Sequence, residues 1–157
     1  MEAPEQRWER RIDALLGIAA SSLLMVMMLL TFVDVVGRYL FNRPIHGGFE
    51  LTELLLLVLI FAGLPLVSHA DEHITMDFID RFLDPRTRLG LDRAVHACVA
   101  ALMFFMAWQL WIKAARISSY GDTTDVLRVT YAPFVYFSAA MVALSGLIHV
   151  YKAFARK

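Results

Sequence analysis

A single cysteine, Cys98, is all that the 157 residues provide, so the chain can build neither a disulfide framework nor a thiolate metal cluster. Net charge is also missing. Fifteen basic residues balance 15 acidic ones, which removes the electrostatic footprint of a nucleic-acid binder. Charge of either sign is scarce: 19% of residues are charged against 59% hydrophobic, with a mean hydropathy of +0.57. Soluble domains usually carry about 25% charged and about 45–50% apolar residues. There is no phosphate loop, nucleophile elbow, zinc-ligand spacing, internal repeat or low-complexity segment. The sequence does not read as an enzyme, and nothing in it asks for a bound metal or cofactor.

What it does contain is a set of long charge-free runs: Ala14–Val33, Leu54–Ser68, Ala94–Ile112 and Val129–Tyr151. A bilayer-spanning helix needs about 20 mostly apolar residues. Three runs reach that length, and the second does so if it starts near Glu50. Leu51, Leu54–Leu57, Leu59, Ile60 and Phe61 are apolar on every side, as a lipid-exposed or fully buried helix is. The reading is an all-α membrane protein in one domain, residues 1–157, with spans at about 12–34, 50–68, 94–112 and 129–151. The first run has a basic flank (Arg7, Arg10, Arg11) but is longer than a signal core and lacks a small-residue cleavage site, so it is read as a retained span.

With four spans, the N-terminus, middle loop and C-terminus share a side. They hold ten of the 15 basic residues, and the positive-inside rule therefore puts both termini in the cytoplasm. Trp8 and Tyr151 then mark the inner interface, and Tyr39, Trp108, Trp111, Tyr120 and Tyr131 the outer one. In the middle loop Ile74, Phe78, Ile79, Phe82 and Leu83 fall on one helical face, predicting an amphipathic helix over about 74–84 that lies in the membrane interface or packs along a partner. A short connector merely touching lipid fits the same pattern. Asp84-Pro85 ends it and opens the next helix, which therefore starts before its apolar run and projects from the membrane.

Ionisable residues near the spans are the first functional candidates. Asp34 and Arg38, four apart, share a helix face and can pair. Glu50 and Glu53 open helix 2, either as helix-dipole caps or as partners for Arg38 across a tight loop and for a basic group on another protein. None of the four lies near a midplane, where an ion-coupled carrier keeps its acids or its broken helices. Arg43, His46, Lys113, Arg116 and Arg128 belong to the two outer loops and their flanks and are candidates for docking a soluble partner. His69, His96 and His149 cluster near one set of helix ends. Two of them on facing helices can ligate a b-type haem, or all three can be interfacial rings. The methionines, including Met25, Met27 and Met28, read as packing filler.

The stretches Val36–Ile45 (VGRYLFNRPI), Glu50–Glu53 (ELTE), Gly63 and His73–Asp77 (HITMD) resemble the small membrane subunit, the DctQ type, of tripartite ATP-independent periplasmic (TRAP) transporters. An arginine-tyrosine-aromatic-asparagine ending of helix 1, acids opening helix 2 and a histidine-isoleucine followed by an aspartate occur here in that family's order. Leu127, Pro133 and Tyr136 echo it further on. Gly47-Gly48-Phe49 stands where the family pattern has a tryptophan-containing segment. The resemblance implies a non-catalytic scaffold in a bacterial inner membrane. Its partners would be a large permease, which holds the substrate and sodium sites, and a periplasmic binding protein that delivers an organic acid. The rival readings are a haem- or quinone-binding membrane anchor and a small multidrug-type carrier.

Overall fold

The computed structural model describes residues 4–70 and 85–155. The amphipathic segment expected at 74–84 lies outside them. Four helices account for nearly all of the described chain: α1 Pro4–Leu40, α2 Gly48–Ala70, α3 Pro85–Tyr120 and α4 Ala132–Ala155. Each contains a segment long and apolar enough to cross a bilayer: Gly17–Leu40, Gly48–Ser68, Arg93–Tyr120 and Ala132–Phe154.

The helix ends follow from local chemistry. α1 stops where Asn42 turns left-handed (φ 50°), which lets the Arg43 amide return to the Gly37 carbonyl at 2.9 Å. Gly47 takes φ 74° and leads into α2. α2 therefore begins before Glu50, and its apolar run reaches spanning length by taking both acids into its first turns. α3 opens at Pro85, and its 36 residues rise about 54 Å, well beyond a hydrocarbon core of about 30 Å. α4 starts at Ala132 rather than Val129, because Val129–Tyr131 are held by the preceding loop: the Val129 amide donates to Thr124 Oγ1 and the Tyr131 amide to the Asp122 carbonyl.

Among the described residues α1 touches only α2, α2 touches α4, and α4 touches α3. The helices form a single-file row, α1–α2–α4–α3, rather than a closed bundle. The seams repeat at three and four residues, the spacing of helices packed at a shallow angle. On α1 the half-buried positions include Ala20, Leu23, Met27, Leu30, Asp34 and Gly37. On α3 the seam is His96, Ala100, Met103, Ala107, Leu110, Ala114 and Ile117, and on α4 it is Ser138, Val142, Ser145, His149 and Lys152.

The α3–α4 seam is the tightest. Ala100, Ala107 and Ala114, one heptad apart, are 3%, 9% and 0% exposed. A Cβ on Gly146 would sit 3.3 Å from the Met103 Cβ and 3.4 Å from the Phe104 ring. Helices in lipid gain no hydrophobic drive from meeting each other, so close backbone approach through small residues is what holds this pair. The buried hydroxyls of Ser138 and Ser145 donate to the Phe134 and Met141 carbonyls within α4, so neither is left unpaired. The two edge helices, α1 and α3, keep their outward faces open.

Candidate functional site

The polar side chains gather at two ends of the row. At the end where α1 stops and α2 starts, Asp34 sits on the α1 seam and uses both oxygens. Oδ2 pairs with Arg38 at 2.9 Å, and Oδ1 accepts the Ile45 amide at 2.8 Å. The first contact is the helical pair expected from the sequence. The second ties the α1–α2 loop down onto α1, a role that the spacing did not reveal.

Glu50 does not face Arg38. Its carboxylate receives the Val126 amide at 2.7 Å and the Leu127 amide at 2.9 Å. Those amides lie at the tip of a short hairpin between α3 and α4. The Thr123–Thr130 bridge closes that hairpin, and Thr124 exchanges bonds with Val129 through its amide and its hydroxyl. Arg128 takes φ 53° to make the turn. Gly47 completes the junction, because any Cβ there would run into the Leu127 side chain. One loop is thus keyed into the other by a carboxylate and a missing side chain.

Glu53, one turn further along α2, is exposed, and its charge is felt by Tyr131. Loss of water first, and then the charges of Glu53, Glu50 and Asp125, raise the Tyr131 phenol above its ordinary value of 10.0. Arg43, His46, Lys113, Arg116 and Arg128 are all exposed and all belong to this same end of the molecule.

At the opposite end His96 and His149 meet across α3 and α4, Nδ1 to Nδ1 at 3.2 Å, with ring centroids 5.4 Å apart and planes tilted by 33°. The rings are in direct contact. One turn on, Lys152 is buried and donates to the Ser68 carbonyl at 2.6 Å, placing a cation at the C-terminal end of α2. Its position on the α4 seam was readable as helical spacing from His149, but a lysine next to the chain end gave no sign that it would be buried. His73 lies outside the described residues, as does the His69 side chain. Among the described residues no group of three or more His, Cys, Asp or Glu side chains is arranged to hold a metal ion.

Among the described residues, geometry of this kind joins helices and presents a surface. Comparison with curated proteins gave no match. The family model for the DctQ component of tripartite ATP-independent periplasmic transporters matches residues 27–156, from the middle of α1 to the end of α4. With the match covering most of the chain and the four apolar helices in place, this protein belongs to the DctQ component family of TRAP transporters.

Proposed function

We propose that this small TRAP subunit is a scaffold that moves no substrate itself. It would join a large permease subunit carrying the substrate and sodium sites, and a periplasmic binding protein would bring an organic acid to the loop face. The observation that carries this reading is the single-file row. Each of its helices is uncharged through the middle of its span, and Asp34, Glu50, Glu53, Asp122 and Asp125 belong to the end that carries the α1–α2 and α3–α4 loops. A transport site needs polar groups or unwound helices at depth, whereas a row with two open edges offers lateral surface for another membrane protein. The inner membrane, with both termini in the cytoplasm, is the setting that the distribution of basic residues favours.

Reconstitution separates the possibilities. The chain alone in proteoliposomes should move no organic acid under a sodium gradient. Co-expressed with the large permease it should copurify in detergent, and the pair should take up substrate when the binding protein is added. Sodium-driven uptake by the isolated chain would overturn the scaffold reading.

A further inference from the structure

We propose that His96 and His149 form a proton-operated latch on the α3–α4 seam. It is closed while the two rings share a single proton between their Nδ1 atoms, and it is released when both rings are protonated. The Nδ1 atoms stand 3.2 Å apart and the ring centroids 5.4 Å apart. The second distance exceeds the first by about two ring radii, so the rings meet nitrogen to nitrogen, along the line of a hydrogen bond, rather than face to face.

A neutral imidazole carries one N–H and one bare nitrogen, whereas an imidazolium carries two N–H groups. The contact needs an N–H on one Nδ1 and a lone pair on the other. Two neutral rings supply that, and so do one neutral and one charged ring. Two imidazoliums cannot, because both Nδ1 atoms then carry hydrogen and the charges repel. Both residues have further interactions within the chain, and whatever else the rings meet leaves this count unchanged. Imidazole is the side chain that ordinarily changes charge between about pH 5 and 8, and contacts between histidines are broken by that change.

The latch sits where its release has a consequence. His96 is half-exposed and His149 is 8% exposed, so the pair is reached from the His96 side. Arg93 precedes His96 by less than a turn of α3, and Lys152 follows His149 by less than a turn of α4; both are engaged within the chain. As cations they add to the repulsion that parts doubly protonated rings. α2 brings the Ser68 carbonyl to this end, where Lys152 donates to it at 2.6 Å. The side chains of His69 on α2 and Asp92 on α3 lie outside the described residues. Lys152 thus keeps α4 on α2, while among the described residues α3 touches only α4. α3 is therefore the helix that moves when the rings part. Towards its other end it stays joined to α4 by Trp111 against Tyr136, an edge contact with centroids 4.9 Å apart in which no proton is shared.

Two measurements on the full-length chain in detergent test the latch, each at about pH 8 and about pH 5, either side of the range in which imidazoles titrate. With 15N-labelled histidine, a nitrogen–nitrogen coupling across the His96–His149 hydrogen bond should be present at the higher pH and lost at the lower. Spin labels on the native Cys98 and on Tyr151→Cys, both exposed positions, should give one distance at the higher pH and a second, longer one at the lower. His96→Phe and His149→Phe should each abolish the change with pH. A coupling that survives at the lower pH, or a label distance that is the same at both, would overturn the proposal. So would a parent-like response in either phenylalanine variant, since another group would then be responsible.

Discussion

The carboxylate of Glu50 holds the backbone amide of Leu127 at 2.9 Å across 77 positions of sequence. Through this bond and its neighbour from Val126, the loop leaving α3 is fastened to the first turn of α2, although α2 and α3 do not touch. The hairpin is therefore held to α2 by a side chain, in addition to the Gly121 and Asp122 amides that bond back to the Ile117 carbonyl of α3.

Glu50→Ala should free the hairpin. Hydrogen exchange at the Val126 and Leu127 amides should accelerate sharply, while that of the α3–α4 seam stays as in the parent. Glu50→Gln, which retains one acceptor oxygen, should fall between the two. If the hairpin positions the loop face for a partner, Glu50→Ala also weakens assembly or uptake, whereas Glu72→Ala in the middle loop does not. Unchanged exchange in Glu50→Ala would show that the hairpin holds itself.

Asp34 should tolerate loss of its charge better than loss of its oxygens. Asp34→Asn keeps an acceptor for the Ile45 amide, but Asp34→Ala strands that amide and should cost about 1–3 kcal/mol in thermal or denaturant unfolding. Removing only the exposed partner, in Arg38→Ala, should cost less than about 1 kcal/mol. Equal losses for Asp34→Ala and Arg38→Ala would assign the effect to the ion pair instead.

The α3–α4 seam should reject bulk. Gly146→Leu drives a side chain into Met103 and Phe104 and should destabilise the protein by about 1–3 kcal/mol, read as a lowered melting temperature in detergent. Leu147→Ala, one residue along on an exposed face, should change little. A parent-like melting temperature for Gly146→Leu would mean that the helices separate freely.

Tyr131 offers a spectroscopic report on the loop end. Its raised phenol should ionise at higher pH than a free tyrosine, and Glu53→Gln should bring it down by removing a nearby negative charge. The folded state holds this proton more tightly than the unfolded state. Its stabilising contribution is therefore complete below the unfolded value, near 10, and is lost as pH rises through the folded one. Difference absorbance of parent against Tyr131→Phe gives the titration directly. An unchanged midpoint in Glu53→Gln would remove Glu53 from the environment of the phenol.

Orientation and docking are tested from outside. Reporter fusions after Lys157 and near Arg86 should report cytoplasm, and fusions near Gly47 and Gly121 periplasm; a periplasmic C-terminus would reverse the assignment. Charge reversal at Arg43 and Arg116 should slow uptake at low binding-protein concentration and alter its salt dependence. No effect there would put docking on the large permease.

Much of this fold was legible in the sequence because lipid imposes a coarse rule: long uncharged runs become spans. Asp84-Pro85 likewise announced the early start of α3. The order of helices in the row was not legible. α2 is apolar all round, so no face of it declares a neighbour, and the heptad of Ala100, Ala107 and Ala114 is hidden among other apolar residues. The partners of Glu50 were beyond sequence reasoning for another reason. They are backbone amides, which every residue has. His96 and His149 could be placed at one end of their helices, but their contact depends on a helix rotation that the apolar pattern leaves open.

Four helices standing in single file make a plate. At about 10 Å per helix it is about 40 Å long and one helix thick. A compact bundle spins easily about the membrane normal, but a plate must push lipid aside along its whole length to turn, and that drag grows steeply with length. Anything fastened to one edge acquires a keel, and can shift its own parts without the whole assembly swinging in response.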